Sequence, residues 1–356
     1  GGYLFSISNI SVKCYSKLFE QIRNNHNLRK FVPELTRLSG LSDSSVSRIF
    51  DMVKTGELTK ADLLSIIWSN EIKNLSEPVI MQIISILLES DSENAGRGAL
   101  DVLESYYVRQ KVILPSELTL KTLTHPSFFD KVRKSLRNPT EGWHWGKVAH
   151  SLIDNHPICM LPLAKVIVEH LGEDDTILED QHLVNKTLSQ IAESMPSEVW
   201  DLIKAKLDPP VSEVSFHLTQ WLRNVGYDDD VEGGFRFMLP SKVWEWVDEK
   251  PEMRAWYIAT FVPKLLFHSS EKCCWAREVL VRYGDRQDVR NNLSANFHTE
   301  GWSGLASLHY SKKRDVLLKF RESETNANVL HWIDIEIKCL EHEIEREKME
   351  EERQGF

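Results

Sequence analysis

Apolar residues in this chain fall at helical spacing, and the stripes they form recur roughly every 20 residues. Ile80, Ile83, Ile84, Leu87 and Leu88 make one stripe, and Leu100, Leu103 and Tyr107 make the next. Ala164, Ile167, Val168 and Leu171 are followed in the same way by Val184, Leu188 and Ile191. Spacings of three and four residues place such side chains on one face of a helix. Helix pairs would then recur about every 40 residues, the range of HEAT-type and armadillo-type arrays. The expected fold is all-α: an irregular α-solenoid of HEAT/TPR-like helix pairs with a C-terminal capping helix.

Composition agrees with helices and narrows the function classes. Gly is sparse at 16 and Pro modest at 13 in 356 residues, too few turn formers for a sandwich or barrel. The net charge of −10 leaves no surplus of Lys and Arg to displace phosphate counterions, which disfavours nucleic acid as a partner. No stretch approaches about 18 consecutive apolar residues, so no membrane span is expected. Cys14, Cys159, Cys273, Cys274 and Cys339 are odd in number and irregular in spacing. That is no disulfide framework, and a reducing cytoplasm is the expected compartment.

Along the chain the repeat is clearest over 1–110. There Thr59-Lys60-Ala61-Asp62 reads as a helix start, with Leu64, Trp68 and Ile72 at four-residue steps behind it. Ser76-Glu77-Pro78 opens another helix, Pro being tolerated in a first turn. Residues 111–140 form a connection punctuated by Pro115, Pro126 and Pro139. Lys131, Arg133, Lys134 and Arg137 make it locally basic, and they are the candidate partner-binding residues. Ten of the 11 Trp lie at or after Trp143, so 141–295 reads as a Trp-rich set of repeats with different packing habits. Residues 296–356 read as a capping module whose last helix, from about Val329 to Arg353, loses its apolar stripe toward a Glu-rich end.

Three local patterns approach catalytic motifs. Gly142-Trp143-His144-Trp145-Gly146-Lys147-Val148 is one residue short of a phosphate loop and carries Val where a hydroxyl would bind magnesium. It reads as a helix start anchored by buried indoles. Gly301-Trp302-Ser303-Gly304-Leu305 lacks the final Gly of a hydrolase elbow. Ile333-Asp334-Ile335-Glu336-Ile337-Lys338 alternates like a strand, and its Asp-x-Glu-x-Lys pattern matches a magnesium nuclease centre. No Gly or Pro bounds that run, which favours a helix carrying two adjoining stripes. His144, His150 and His156, six residues apart, fall on different helix faces and imply no metal. No cofactor, metal or catalytic residue is expected, and Asp334/Glu336/Lys338 remains the enzymatic alternative.

Asn296-Phe297, Gly301-Trp302-Ser303-Gly304, the stretch Asn328 to Trp332 and the Glu- and Arg-rich closing helix resemble one known setting. It is the C-terminal helical-repeat region of large bacterial antiphage proteins, namely antiviral STAND-type NTPases and related multidomain defence ATPases. Leu58 to Tyr107, with Leu75-Ser76 and Ala99-Leu100-Asp101-Val102-Leu103, is compatible with the same regions. The resemblance implies a sensor segment that binds a protein partner, a phage protein, while the NTPase and effector lie upstream of Gly1. It carries over no catalytic residue. Apart from the resemblance, the remaining alternative is a plain structural scaffold or oligomerisation arm within a larger assembly, with the full-length protein a homo-oligomer.

Overall fold

A computed structural model describes residues 12–67, 70–92, 94–129, 141–172, 181–208, 212–223, 233–263, 274–299 and 303–354. Those residues are helical or in turns, with no strand among them, so the expected all-α class is met. No described helix is long and apolar enough to cross a membrane. The chain divides into two compact units, Gly1–Ile191 and Ala192–Phe356.

The first unit holds α1 (Val12–Asn24), α2 (Val32–Ser39), α3 (Asp43–Lys54), α4 (Leu64–Ile67), α5 (Glu77–Leu88), α6 (Ala95–Val102), α7 (Ser116–Leu123), α8 (Glu141–Asn155), α9 (Met160–His170) and α10 (Gln181–Ser194) as far as Ile191. Each start has a local cause. Ser42 and Ser45 exchange side-chain and backbone hydrogen bonds at the head of α3. Thr59 donates both its N–H and its hydroxyl to the Asp62 carboxylate, at 2.7 and 2.8 Å, opening the 3-10 turn before α4. The Leu64–Trp68–Ile72 stripe suggests one helix. Leu64–Ile67 is helical and a 3-10 turn occupies Asn70–Asn74, where Asn competes with the helical ladder for backbone groups, while Trp68 lies outside the described residues.

Helix α5 buries Ile80, Ile83, Ile84 and Leu87, as its stripe requires. Helix α6 runs on as a π-helical turn over Leu103–Val108, with Leu103 and Tyr107 in the core. The turn then ends in a C-terminal cap: Val112 N–H donates to Tyr107 O at 2.9 Å, and Lys111 N–H to Val108 O at 3.2 Å. That pair of bonds needs a left-handed residue, and Lys111 supplies it at φ 57° where glycine is usual. Among the helices of this unit, α5 packs on α6 and α7, α6 on α7 and α8, and α7 on α8.

The second unit holds α11 (Pro196–Leu207), α12 (Glu213–Arg223), α13 (Pro240–Glu249), α14 (Pro251–Ala259), α15 (Trp275–Tyr283), α16 (Gln287–His298), α17 (Ala306–Arg321) and α18 (Ala327–Gln354). Its tryptophans are mostly core. Trp200 meets Trp246 edge-on at 5.7 Å, while Trp275 sits between Trp244 and Phe235. Arg254 is buried among them, donating to Asp208, Glu249 and the Trp246 carbonyl with its guanidinium over the Trp246 ring. The Asn296 amide donates to the Ala259 and Val262 carbonyls at 3.1 and 2.9 Å, covering the free end of α14. Packing is again mostly between near neighbours in sequence, α11 on α12 and α13, α13 on α14, α14 on α16, and α17 on α18, while α15 also packs on α18.

Candidate recognition surface

The Lys111 cap turns the chain so that Val112 and Ile113 leave the core, Ile113 being 66% exposed. Leu114 returns to the core, and its carbonyl lies 2.7 Å from His156 Nε2. That bond brings the turn beside Pro157–Cys159, the 3-10 turn before α9, where Ile158 is 85% exposed and Leu161 follows on the surface. Immediately after Leu114, Pro115 and Leu118 line a cleft of about 590 Å³ against Met81 and Ser85 of α5. Lys121 and Glu117 pair at 2.8 Å on its rim. Exposed isoleucines held on capped, hydrogen-bonded turns cost hydration unless something covers them, about 1.5–3 kcal/mol for each fully buried aliphatic side chain. A surface of this kind offers apolar anchoring and no chemistry of its own.

A second, more polar cleft of about 910 Å³ lies at the other ends of α5 and α7. Ser90, Asp91, His125 and Ser127 line it, and the Phe129 ring stacks on His170 at 4.4 Å. His125 Nδ1 accepts from the Ser127 N–H at 3.3 Å and lies 2.8 Å from its hydroxyl, so the imidazole caps the Pro126–Phe128 turn. Gly96 permits this seat. A Cβ there would stand 2.5 Å from Ser127 Oγ and 2.9 Å from His125 Nδ1. Rim charge is partly cancelled where Lys60 reaches the Glu89 carboxylate at 3.0 Å.

The basic candidates Lys131, Arg133, Lys134 and Arg137 lie outside the described residues; Lys131 is two positions beyond Phe129 in sequence. Gly142–Val148 forms the first turns of α8. Trp145 is buried there and donates to Leu123 O at 3.0 Å, as a helix start anchored by indoles requires. Trp143 departs from that expectation: it is 43% exposed, with Lys147 Nζ 3.4 Å from its ring centroid. The three histidines find separate partners, His144 near Asp101, His150 near Asp154 and His156 at Leu114. Of the hydrolase-like turn, Ser303 and Gly304 are described and the preceding Gly301 and Trp302 are not.

Asp334, Glu336 and Lys338 all sit within α18, and the strand pairing their alternation would need is not formed. The helix turns Asp334 toward Arg321, 2.5 Å away, which holds its carboxyl below the usual range. Glu336 faces the core instead, only 2% exposed. It accepts from the Ser294 hydroxyl and meets His298 Nε2 at 2.8 Å, while Trp332 Nε1 donates to Ser294 at 2.9 Å. Lys338 is exposed. The three are therefore not gathered, and among the described residues no group of three or more His, Cys, Asp or Glu is placed to hold a metal ion. No protein-family model, curated protein or solved structure matches the chain.

The exposure of Ile113 and Ile158 leaves little trace in the sequence. Both stand at points where a helical stripe breaks, and a stripe says only which residues point inward. One signal was available, the short apolar run Val112-Ile113-Leu114 directly before Pro115, outside any helix period.

Proposed function

We infer that this chain is a protein-recognition α-solenoid, built from HEAT/TPR-like helix pairs, and that it serves as the target-sensing part of a bacterial antiviral defence NTPase in the cytoplasm. Packing of helices mainly on their sequence neighbours supports the solenoid, because in such arrays each repeat touches only the next. The observation that carries recognition is the exposure of Ile113 and Ile158 on turns joined by the His156–Leu114 hydrogen bond. The resemblance of the closing segment to antiphage sensors supplies the kind of partner, a phage protein.

The mechanism is differential binding. A partner that buries the isoleucines favours one arrangement of the whole protein over another, and shifts the population by its difference in affinity for the two. Phage challenge of cells carrying the complete protein tests this reading. Deleting 111–356, or introducing Ile113→Asp with Ile158→Asp, abolishes protection if the reading is right. Undiminished protection by the double variant contradicts it.

A further inference from the structure

The last two helices carry a charge-inverted pattern. On α17 the residues Lys312, Asp315, Val316 and Lys319 follow one another at steps of three, one and three. On α18 the residues Glu345, Lys348, Met349 and Glu352 repeat those steps, with every charge reversed and an apolar residue at the same place. At this spacing the members of each quartet share one helix face. Val316 is 53% exposed and Met349 57%, and Lys312, Lys319, Glu345 and Glu352 are exposed beside them. None of those four charges has an ion-pair partner among the described residues, unlike Asp315, which Arg314 holds at 2.7 Å. Leu308, also exposed, extends the α17 face by one turn.

The two faces cannot meet within one chain. Helices α17 and α18 pack on each other, with Leu317, Leu340 and Ile344 buried, and are tied at their ends by Ser307 to Glu351 and Arg321 to Asp334. The quartets look away from that seam. A second copy is the one partner certain to carry the complementary face.

We propose that the protein self-associates by seating the Lys312–Val316–Lys319 face of one copy on the Glu345–Met349–Glu352 face of another. Each contact buries one exposed apolar residue per helix and places two ammonium groups against two carboxylates. The pairs are at the surface, so they select the register more than they add affinity, and salt screens them. The patch differs between the two helices, so the contact is heterologous: it closes into a ring or extends as an array according to the rotation between copies. A single helix face of this size makes a weak, concentration-dependent contact.

Sedimentation velocity and light scattering over a concentration series, at low and high salt, test this on the complete chain. Wild type gains mass with concentration and loses the gain in high salt. K312E/K319E and E345K/E352K each remain monomeric, because each then carries like charge on both faces. Mixing the two variants restores the mass, and so does combining all four substitutions in one chain. A wild type monomeric throughout overturns the proposal. So do pair variants that associate as wild type does, or folded variants, checked by circular dichroism, whose mixture stays monomeric.

Discussion

Arg277 meets Glu324 side-on, donating Nε at 2.7 Å and Nη2 at 3.0 Å to the two oxygens of a carboxylate whose side chain is only 4% exposed. The backbone N–H groups of Thr325 and Asn326 add two more bonds to the same carboxylate, each at 2.8 Å. Together they fix the turn between α17 and α18 against the head of α15. Arg277→Ala leaves that charge buried and short of its partner. The expected cost is about 2 kcal/mol, after discounting the part-exposed guanidinium for solvent screening. Urea unfolding of the two chains measures it, and Glu324→Gln with intact Arg277 should cost less.

These pairs also set the acid side of the stability profile. Arg277 beside Glu324 holds that carboxyl below its usual range, and Arg23, bonded at 2.9 and 2.7 Å, holds Glu57 at about 2. A depressed folded-state value stabilises above the unfolded value and is lost as pH falls through the folded one. The melting temperature should therefore decline from about pH 4.5, the ordinary Glu value, down toward about 2, with little change at higher pH from these two groups. Arg23→Met should flatten part of that decline, read by thermal melts across the acid range.

Gly96→Ala should destabilise the first unit. A methyl at 96 runs into Ser127 Oγ and His125 Nδ1 in the turn that walls the polar cleft. Overpacking costs about 1–3 kcal/mol, against roughly 1 kcal/mol recovered from replacing a helical glycine. A net loss of about 1 kcal/mol is expected, and the loss should shrink in G96A/S127A because the nearest contact is gone.

Lys111→Gly should act in the other direction. The lysine sits in the left-handed region at φ 57°, where an L side chain costs about 1–2 kcal/mol that glycine avoids. Stability should rise by about 1 kcal/mol, measured by denaturant midpoint, while the turn presenting Ile113 keeps its form.

Glu336→Ala separates a structural carboxylate from a metal ligand. It removes the partner of Ser294 and His298 in the core and should cost about 1–3 kcal/mol. Magnesium should leave the melting temperature of wild type and variant alike unchanged. A magnesium-dependent rise in wild type, absent from the variant, would favour the nuclease alternative.

Helix positions were largely legible in the sequence because burial imposes the 3.6-residue period directly. Ile80–Leu87, Leu100–Tyr107 and Ala164–Leu171 are core stripes where their spacing places them. The alternation from Ile333 to Lys338 resolved as helix because Gly and Pro, the residues that would bound a strand, are missing around it. What the sequence withheld depends on partners distant along the chain. Glu336 became a core residue through Ser294 and His298, some 40 positions away. Spacing did not separate buried from exposed tryptophans, and most described ones fill the core of the second unit, since an indole near other rings gains more from packing than from display. Ile113 and Ile158 reach the surface through a left-handed lysine and one long-range hydrogen bond, neither of which has a local sequence signature.

The central claim is that the Ile113–Ile158 surface holds a protein partner during infection. A photo-crosslinking amino acid at position 158, in the complete protein expressed in a bacterial host, tests it most directly, with a second chain labelled at the solvent-facing Glu193 as reference. Phage infection should produce a crosslink from position 158 to one phage protein, absent before infection and absent from position 193. The same pattern of crosslinks from both positions, or none that depends on infection, would contradict the account.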